Sequence, residues 1–177
     1  AILALAVKLD SPGPVFFRQR RAAYRGGFFE LLKLRSMRAD AETVLRADPE
    51  MYARYLENDF KLPENEDPRI TPLGRTLRKT SLDELPQLIN VVRGDMSLVG
   101  PRPVVEPELE MYRGRIPTFL SMKPGITGPW QISGRSNIGF PERAQMDLDY
   151  VRNWSLLRDG WILLLTLPAV VLRRGAH

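Results

Sequence analysis

Apolar residues along this chain come in short runs whose period changes from segment to segment. Val15-Phe16-Phe17 and Phe28-Phe29-Glu30-Leu31-Leu32 are brief, β-prone runs. They flank the basic, glycine-ended stretch 18–27, which predicts strand–loop–strand. From 39 to 58 the spacing turns helical, with acidic polar positions. It predicts one or two exposed helices broken near Asp48-Pro49. Residues 63–68 read as an acidic loop, and Ile70-Thr71-Pro72-Leu73-Gly74 turns into a basic helix over 75–79. Leu82, Leu85, Leu88, Ile89 and Val92 then recur at helical spacing, with Asn90 and Arg93 off that stripe. Ser81 and Glu84 fit a capping box, which would place both neighbouring carboxylates at a helix N-terminus. Further helices are predicted over 107–113, 141–153 and from 155 onward. The stretch 123–139, rich in Gly, Pro and Ser, reads as structured loop.

Two apolar stretches lie near the ends. AILALAVKLD holds seven apolar residues before Lys8, whereas a bilayer-spanning helix takes ~20. It has no basic leader or small-residue cleavage site. It reads as the end of a longer hydrophobic helix, with a short buried core segment as the competing reading. WSLLRDGWILLLTLPAVVLRR is interrupted by Asp159-Gly160 and Pro168 and is also too broken to span. Trp154, Trp161 and the Arg173-Arg174 pair suit an element lying at a membrane interface, against an ordinary core helix.

The bulk numbers narrow the chemistry. The 177 residues carry a net charge of +5, no cysteine and one histidine, His177. Disulfides and thiolate metal sites are excluded, and a histidine-based triad is disfavoured, so chemistry falls to carboxylates, Lys, Tyr or Ser. Residues 1–39 hold eight Lys or Arg against two acids, whereas 40–67 hold nine acids against three bases. A cationic face calls for an anionic partner: phosphate, nucleic acid or lipid headgroup. No G-x-x-x-x-G-K-[ST] or G-x-G-x-x-G stretch is present, and no nucleic-acid module appears.

Against that background the adjacent acids Asp83 and Glu84 stand out. Taken alone they could do no more than cap a helix. Their neighbours change the picture: Arg78 lies upstream, and Asp95, Gly100 and Arg102 follow on a chain stiffened by Pro101 and Pro103. Carboxylates beside Arg suit a magnesium–phosphate site. A carboxylate can also be the nucleophile in phosphoryl transfer. Repulsion then opposes it, at about 4 kcal/mol per unit pair at 4 Å and an effective dielectric near 20. A metal ion with two or three Arg or Lys offsets that cost.

The blocks KLDSPGPVFFRQRR, FFELLKLRSM, DPRITPLGRTLRKTSLDELPQLINVVRGDMSLVGPRP, KPGITGPWQISGR and MDLDYVR run in order across essentially the whole chain. Together they resemble the bacterial sugar transferases, the monotopic polyprenol-phosphate phosphoglycosyl transferases. That resemblance implies an α+β fold, mostly helical, in a single domain with a short β-hairpin and membrane-interface helices. Residues 1–9 would be the remnant of a truncated N-terminal re-entrant membrane helix, and 10–177 the catalytic domain. It implies that Asp83 attacks the β-phosphate of a UDP-sugar, releasing UMP, and that polyprenyl (undecaprenyl) phosphate then takes the sugar-phosphate. Glu84 with Asp83 would hold Mg2+. Arg78 and Arg102 would neutralise phosphate, while Lys33, Arg135 and Asp147 match further charged positions around the site. The tail VVLRRGAH resembles the longer hexose-1-phosphate transferases, which favours UDP-galactose or UDP-glucose as donor. The setting implied is the cytoplasmic face of the bacterial inner membrane, in exopolysaccharide, capsule or O-antigen synthesis, with room for a homodimer and no nucleic acid. The competing reading is a non-catalytic basic module that docks on anionic membranes.

Overall fold

α1 (Ile2–Asp10) stops where Ser11-Pro12-Gly13-Pro14 breaks the helix, with Gly13 at φ 123°. This is seen in a computed structural model that describes residues 2–58, 62–133 and 139–171. The chain divides into two compact units, one of Ala1–Phe17 with Leu34–Asp83, the other of Arg18–Lys33 with Glu84–Ala176. The described residues are mainly helical with two small sheets, so the predicted mixed, mainly helical class holds.

In the first unit, α2 (Ala41–Ala47) and α3 (Pro49–Glu57) are separated at Asp48-Pro49, as predicted. Asp48 caps α3 by accepting the Met51 N–H at 3.0 Å. α4 (Pro72–Thr80) opens with Thr71, whose Oγ1 accepts the Gly74 N–H at 3.0 Å, and with Pro72 in its first turn. A Cβ on Gly74 would lie 1.9 Å from the Ser36 carbonyl oxygen, so only glycine lets α4 lie on that backbone. Val7, Leu34 and Leu77 form the core here, with Leu3, Val15, Leu73 and Leu82 packed around them. Buried Arg35 ties down the turn after α1, donating to the Pro14 carbonyl and Ser11 Oγ at 2.6 Å each.

The second unit holds most of the predicted hairpin, β1 (Phe16–Ala22) and β2 (Phe28–Leu34). It continues through α5 (Gln87–Arg93), β3 (Ser97–Val99), a 3-10 stretch Glu106–Tyr112, and α6 (Ile116–Phe119). β4 (Gly125–Thr127), α7 (Pro129–Ile132), α8 (Phe140–Arg152) and α9 (Leu156–Val171) complete it. β3 and β4 run parallel, Ser97 opposite Gly125 and Val99 opposite Thr127. Among the described residues of this unit, apolar clusters are centred on Tyr112 and Phe119, on Leu31 and Met96, and on Tyr150 and Ile162.

Three local expectations change. The stretch 123–139 is not all loop, because it contains β4 and α7. A three-residue strand has no readable period, and its glycine is required by close approach: a Cβ on Gly125 would meet the Gly100 nitrogen at 2.1 Å. Ser81 does not open a capping box. It closes α4 in the left-handed conformation (φ 56°), its N–H bonded to the Arg78 carbonyl at 3.1 Å. Residues Leu82–Glu84 form a 3-10 turn instead. α5 starts only after Pro86, with no side-chain cap, because proline fits a first turn and not the interior of a helix begun at 82.

The third change concerns α5 itself. An amphipathic helix ordinarily turns its apolar stripe inward. α5 instead buries Gln87 and Asn90 and leaves Leu88, Ile89 and Val92 exposed, Val92 at 89 %, and Leu85 in the turn before it is exposed as well. α9 likewise exposes Leu156, Leu157, Trp161 and Leu164. No helix among the described residues is long and apolar enough to cross a membrane.

Candidate active site

The acidic pair owes its position to the way α4 ends. Ser81 in the left-handed region turns the chain sharply, and the 3-10 turn that follows presents Asp83 and Glu84 in succession. Asp83 is only 7 % exposed, and Glu84 is more open. The boundary between the two units falls between these two residues. On the first-unit side, Arg78 lies in the last turn of α4 and donates from Nε to Glu64 Oε1 at 2.9 Å. Glu64 belongs to the predicted acidic loop, so part of the Arg78 charge is already matched. On the second-unit side, Lys33 near the end of β2 donates from Nζ to Glu84 Oε1 at 2.7 Å.

Among the described residues no group of three or more His, Cys, Asp or Glu could hold a metal ion. Two hard carboxylates on consecutive residues are nonetheless the donor set that magnesium accepts, since substrate phosphates and water complete its shell. The chemistry of the pair therefore fits that ion and not a thiophilic one.

A second charged cluster is built around α8, all within the second unit. Arg143 and Asp147 sit one turn apart on that helix, and both are buried. Asp147 accepts the Tyr112 hydroxyl at 2.8 Å and the Arg102 backbone N–H at 3.4 Å. Burial pushes its carboxyl up to about 7, although those two donors and the charges of Arg102 and Arg143 pull the other way. Burial, together with the adjacent carboxylate, raises the Tyr112 phenol well above its ordinary value. The Arg102 guanidinium donates to Glu108 Oε1 at 3.3 Å. The other oxygen of Glu108 accepts from Arg21 at 3.3 Å and from the Val105 N–H at 3.0 Å. The guanidinium carbons of Arg102 and Arg143 lie 5.3 and 5.2 Å from the Trp130 ring centre. Three guanidinium groups thus lie with two acids, and burial raises the carboxyl of one of them toward neutrality.

The candidates fall into three groups. Lys33 and Glu84 form one ion pair, with Asp83 next along the chain. Arg102 and Asp147 meet in the α8 cluster. Arg78 is matched to Glu64, and Arg135 lies outside the described residues. Sequence reasoning missed Arg143, Tyr112, Glu108 and Arg21. For Arg143 a cue existed, since a spacing of four from Asp147 puts both on one helical face. For the others, which reach the cluster from segments far apart in sequence, there was none.

With this geometry in view, the chain can be set beside known proteins. A profile described as bacterial sugar transferase matches residues 1–173. The exopolysaccharide production protein ExoY of Rhizobium meliloti (strain 1021) is 46 % identical over 185 residues, covering 99 % of this chain and 78 % of that protein. The undecaprenyl-phosphate galactose phosphotransferase of Salmonella typhimurium is 47 % identical over 169 residues, covering 93 % of this chain but 35 % of the longer protein. The UDP-glucose:undecaprenyl-phosphate glucose-1-phosphate transferase of Caulobacter vibrioides is 41 % identical over 186 residues, 99 % of this chain and 64 % of that protein. This chain belongs to the bacterial sugar transferase family, a family of enzymes that includes phosphotransferases acting on undecaprenyl phosphate.

Proposed function

We propose that this chain transfers a hexose 1-phosphate from a UDP-sugar to polyprenyl phosphate by way of an aspartyl intermediate on Asp83. The observation that carries the reading is the placement of Asp83. It is a nearly buried carboxylate on a turn, followed at once by an acid held by a lysine. In the first half, an Asp83 carboxylate oxygen bonds to the β-phosphorus while the bond from that phosphorus to the bridging oxygen breaks, and UMP departs with the electron pair. In the second half, a phosphate oxygen of the polyprenyl phosphate attacks the same phosphorus. Asp83 leaves as a free carboxylate, and a polyprenyl diphosphate-linked sugar forms. No acid–base group with a matched pKa is required, because both nucleophiles are already anions.

The difficulty is charge, and cations are needed to offset it. Lys33 holds Glu84 in place and adds positive charge, and the family resemblance assigns Arg78 and Arg102, each paired with another acid here, to phosphate oxygens. Glu84, with Asp83, would hold magnesium, which when bound neutralises diphosphate charge. The exposed apolar faces of α5 and α9 support docking at the cytoplasmic face of a bacterial inner membrane, where a polyprenyl acceptor resides. Names of relatives such as UDP-galactose-lipid carrier transferase support galactose or glucose donors and a place in exopolysaccharide synthesis.

The test is product analysis with UDP-glucose and UDP-galactose. UMP should be released in the first half-reaction before any lipid is supplied. Release of UDP instead would contradict the mechanism. Turnover that needs neither magnesium nor either carboxylate would also contradict it.

A further inference from the structure

Among the described residues no further strand caps the outer edge of β2. One side chain takes that place. Asn90, 0 % exposed on α5, accepts the Leu32 N–H on Oδ1 at 3.0 Å and donates from Nδ2 to the Glu30 carbonyl at 2.8 Å. Its amide therefore pairs with two edge groups of the strand as a peptide group would. The same Nδ2 donates to Asp95 Oδ2 at 3.1 Å, and the Asn90 carbonyl accepts the Asp95 N–H at 2.9 Å. The end of α5 and the turn after it are thus tied to the same point.

Lys33 directly follows Leu32 on β2, and Glu84 lies just before α5. The two segments that Asn90 joins are the two that carry the ion pair, with its 2.7 Å contact. A slip of β2 by one residue would send Lys33 to the opposite face of the strand. A leucine in place of Asn90 would leave the Leu32 N–H and the Glu30 carbonyl without their partner. A carboxylate could satisfy only the first of these. This need also accounts for a polar residue at position 90 on the inward face of α5.

We propose that Asn90 is a positioning residue: its amide splints β2 to α5 in one register and thereby sets Lys33 against Glu84. The consequence for turnover rests on the reaction proposed above, and the splint itself does not. Two readouts on the full chain separate these. The first is limited acetylation of Lys33 with acetic anhydride, followed by peptide mass spectrometry and normalised to Lys8. Asn90→Leu should raise Lys33 labelling about threefold, to the level of Glu84→Gln, because the amine loses its carboxylate partner. The second is UMP release measured with native Lys33 and with Lys33→Met. Asn90→Leu should lower kcat about tenfold in the first background and less than about twofold in the second, the pattern of residues acting through one another.

Should Asn90→Leu not fold, Asn90→Asp serves, since it keeps the acceptor for Leu32 and should move both readouts the same way by less. Unchanged Lys33 labelling in a folded variant, or an equal loss of kcat in both backgrounds, would overturn the proposal. Wild-type protein that releases no UMP from any UDP-sugar removes the proposed reaction, and the labelling still decides the splint.

Discussion

α4 precedes the acidic turn in the chain and α5 follows it, and the two bury opposite kinds of residue. α4 puts Gly74 and Leu77 inward and Arg75 and Lys79 outward, while α5 puts Gln87 and Asn90 inward and Leu88, Ile89 and Val92 outward. α4 is held as most helices are, by removing apolar area from water. α5 is held by hydrogen bonds to a strand edge together with Val91, which packs beside Phe29, Leu31 and Met96, while its apolar stripe stays exposed. The difference teaches that a helical hydrophobic stripe shows where two faces lie but not which one the protein covers.

That contrast can be broken by mutation, and the largest effect should come from α4. Leu77→Ala should destabilise the fold by about 2–5 kcal/mol in chemical denaturation, because it removes a fully buried side chain. If it costs no more than a surface change, α4 is not anchored as described.

α8 offers a third way of holding a helix, through a buried acid. The folded Asp147 carboxyl keeps its proton up to about pH 7, whereas its ordinary value is 3.8. Between those values the folded state binds the extra proton. Its contribution to stability is therefore full below pH 3.8 and is lost as the pH rises toward 7. The slope approaches about 1.4 kcal/mol per pH unit at most. Asp147→Asn should flatten that part of a stability–pH curve. An unchanged slope would show that Asp147 is not its source.

On α5, the double change Leu88→Ser with Val92→Ser should leave stability within about 0.5 kcal/mol. Binding to vesicles containing anionic lipid should fall about tenfold in a sedimentation assay, since two side chains no longer enter the apolar boundary. Strong destabilisation with unaltered vesicle binding would mean that the stripe packs against protein after all. The smallest effect belongs to the junction. Ser81→Gly should raise stability by about 0.5 kcal/mol in the same denaturation measurement, because glycine adopts the left-handed region without steric cost.

Much of the fold could be read from local pattern. The β1–β2 hairpin, the break at Asp48-Pro49 and the span of α8 each depend on residues close in sequence. β3 and β4 could not be read, because three-residue strands paired over a long separation leave no periodic trace. Ser81 was misassigned because S-x-x-E opens some helices, and here a left-handed residue and Pro86 decided otherwise. For the site, the charge pattern singled out Asp83 and Glu84, and resemblance to a family added Lys33. The grouping of Arg102, Trp130 and Arg143 arises only when three distant segments converge.

The central claim, that the side chain at position 83 carries the sugar-phosphate between donor and lipid, has one direct measurement. Protein incubated with magnesium and UDP-[14C]glucose or UDP-[14C]galactose, quenched without lipid and digested, is analysed by mass spectrometry. A hexose-phosphate adduct is expected on the peptide containing Asp83, absent from Asp83→Asn and discharged by undecaprenyl phosphate. Sustained turnover by a protein that never carries this adduct would contradict the account.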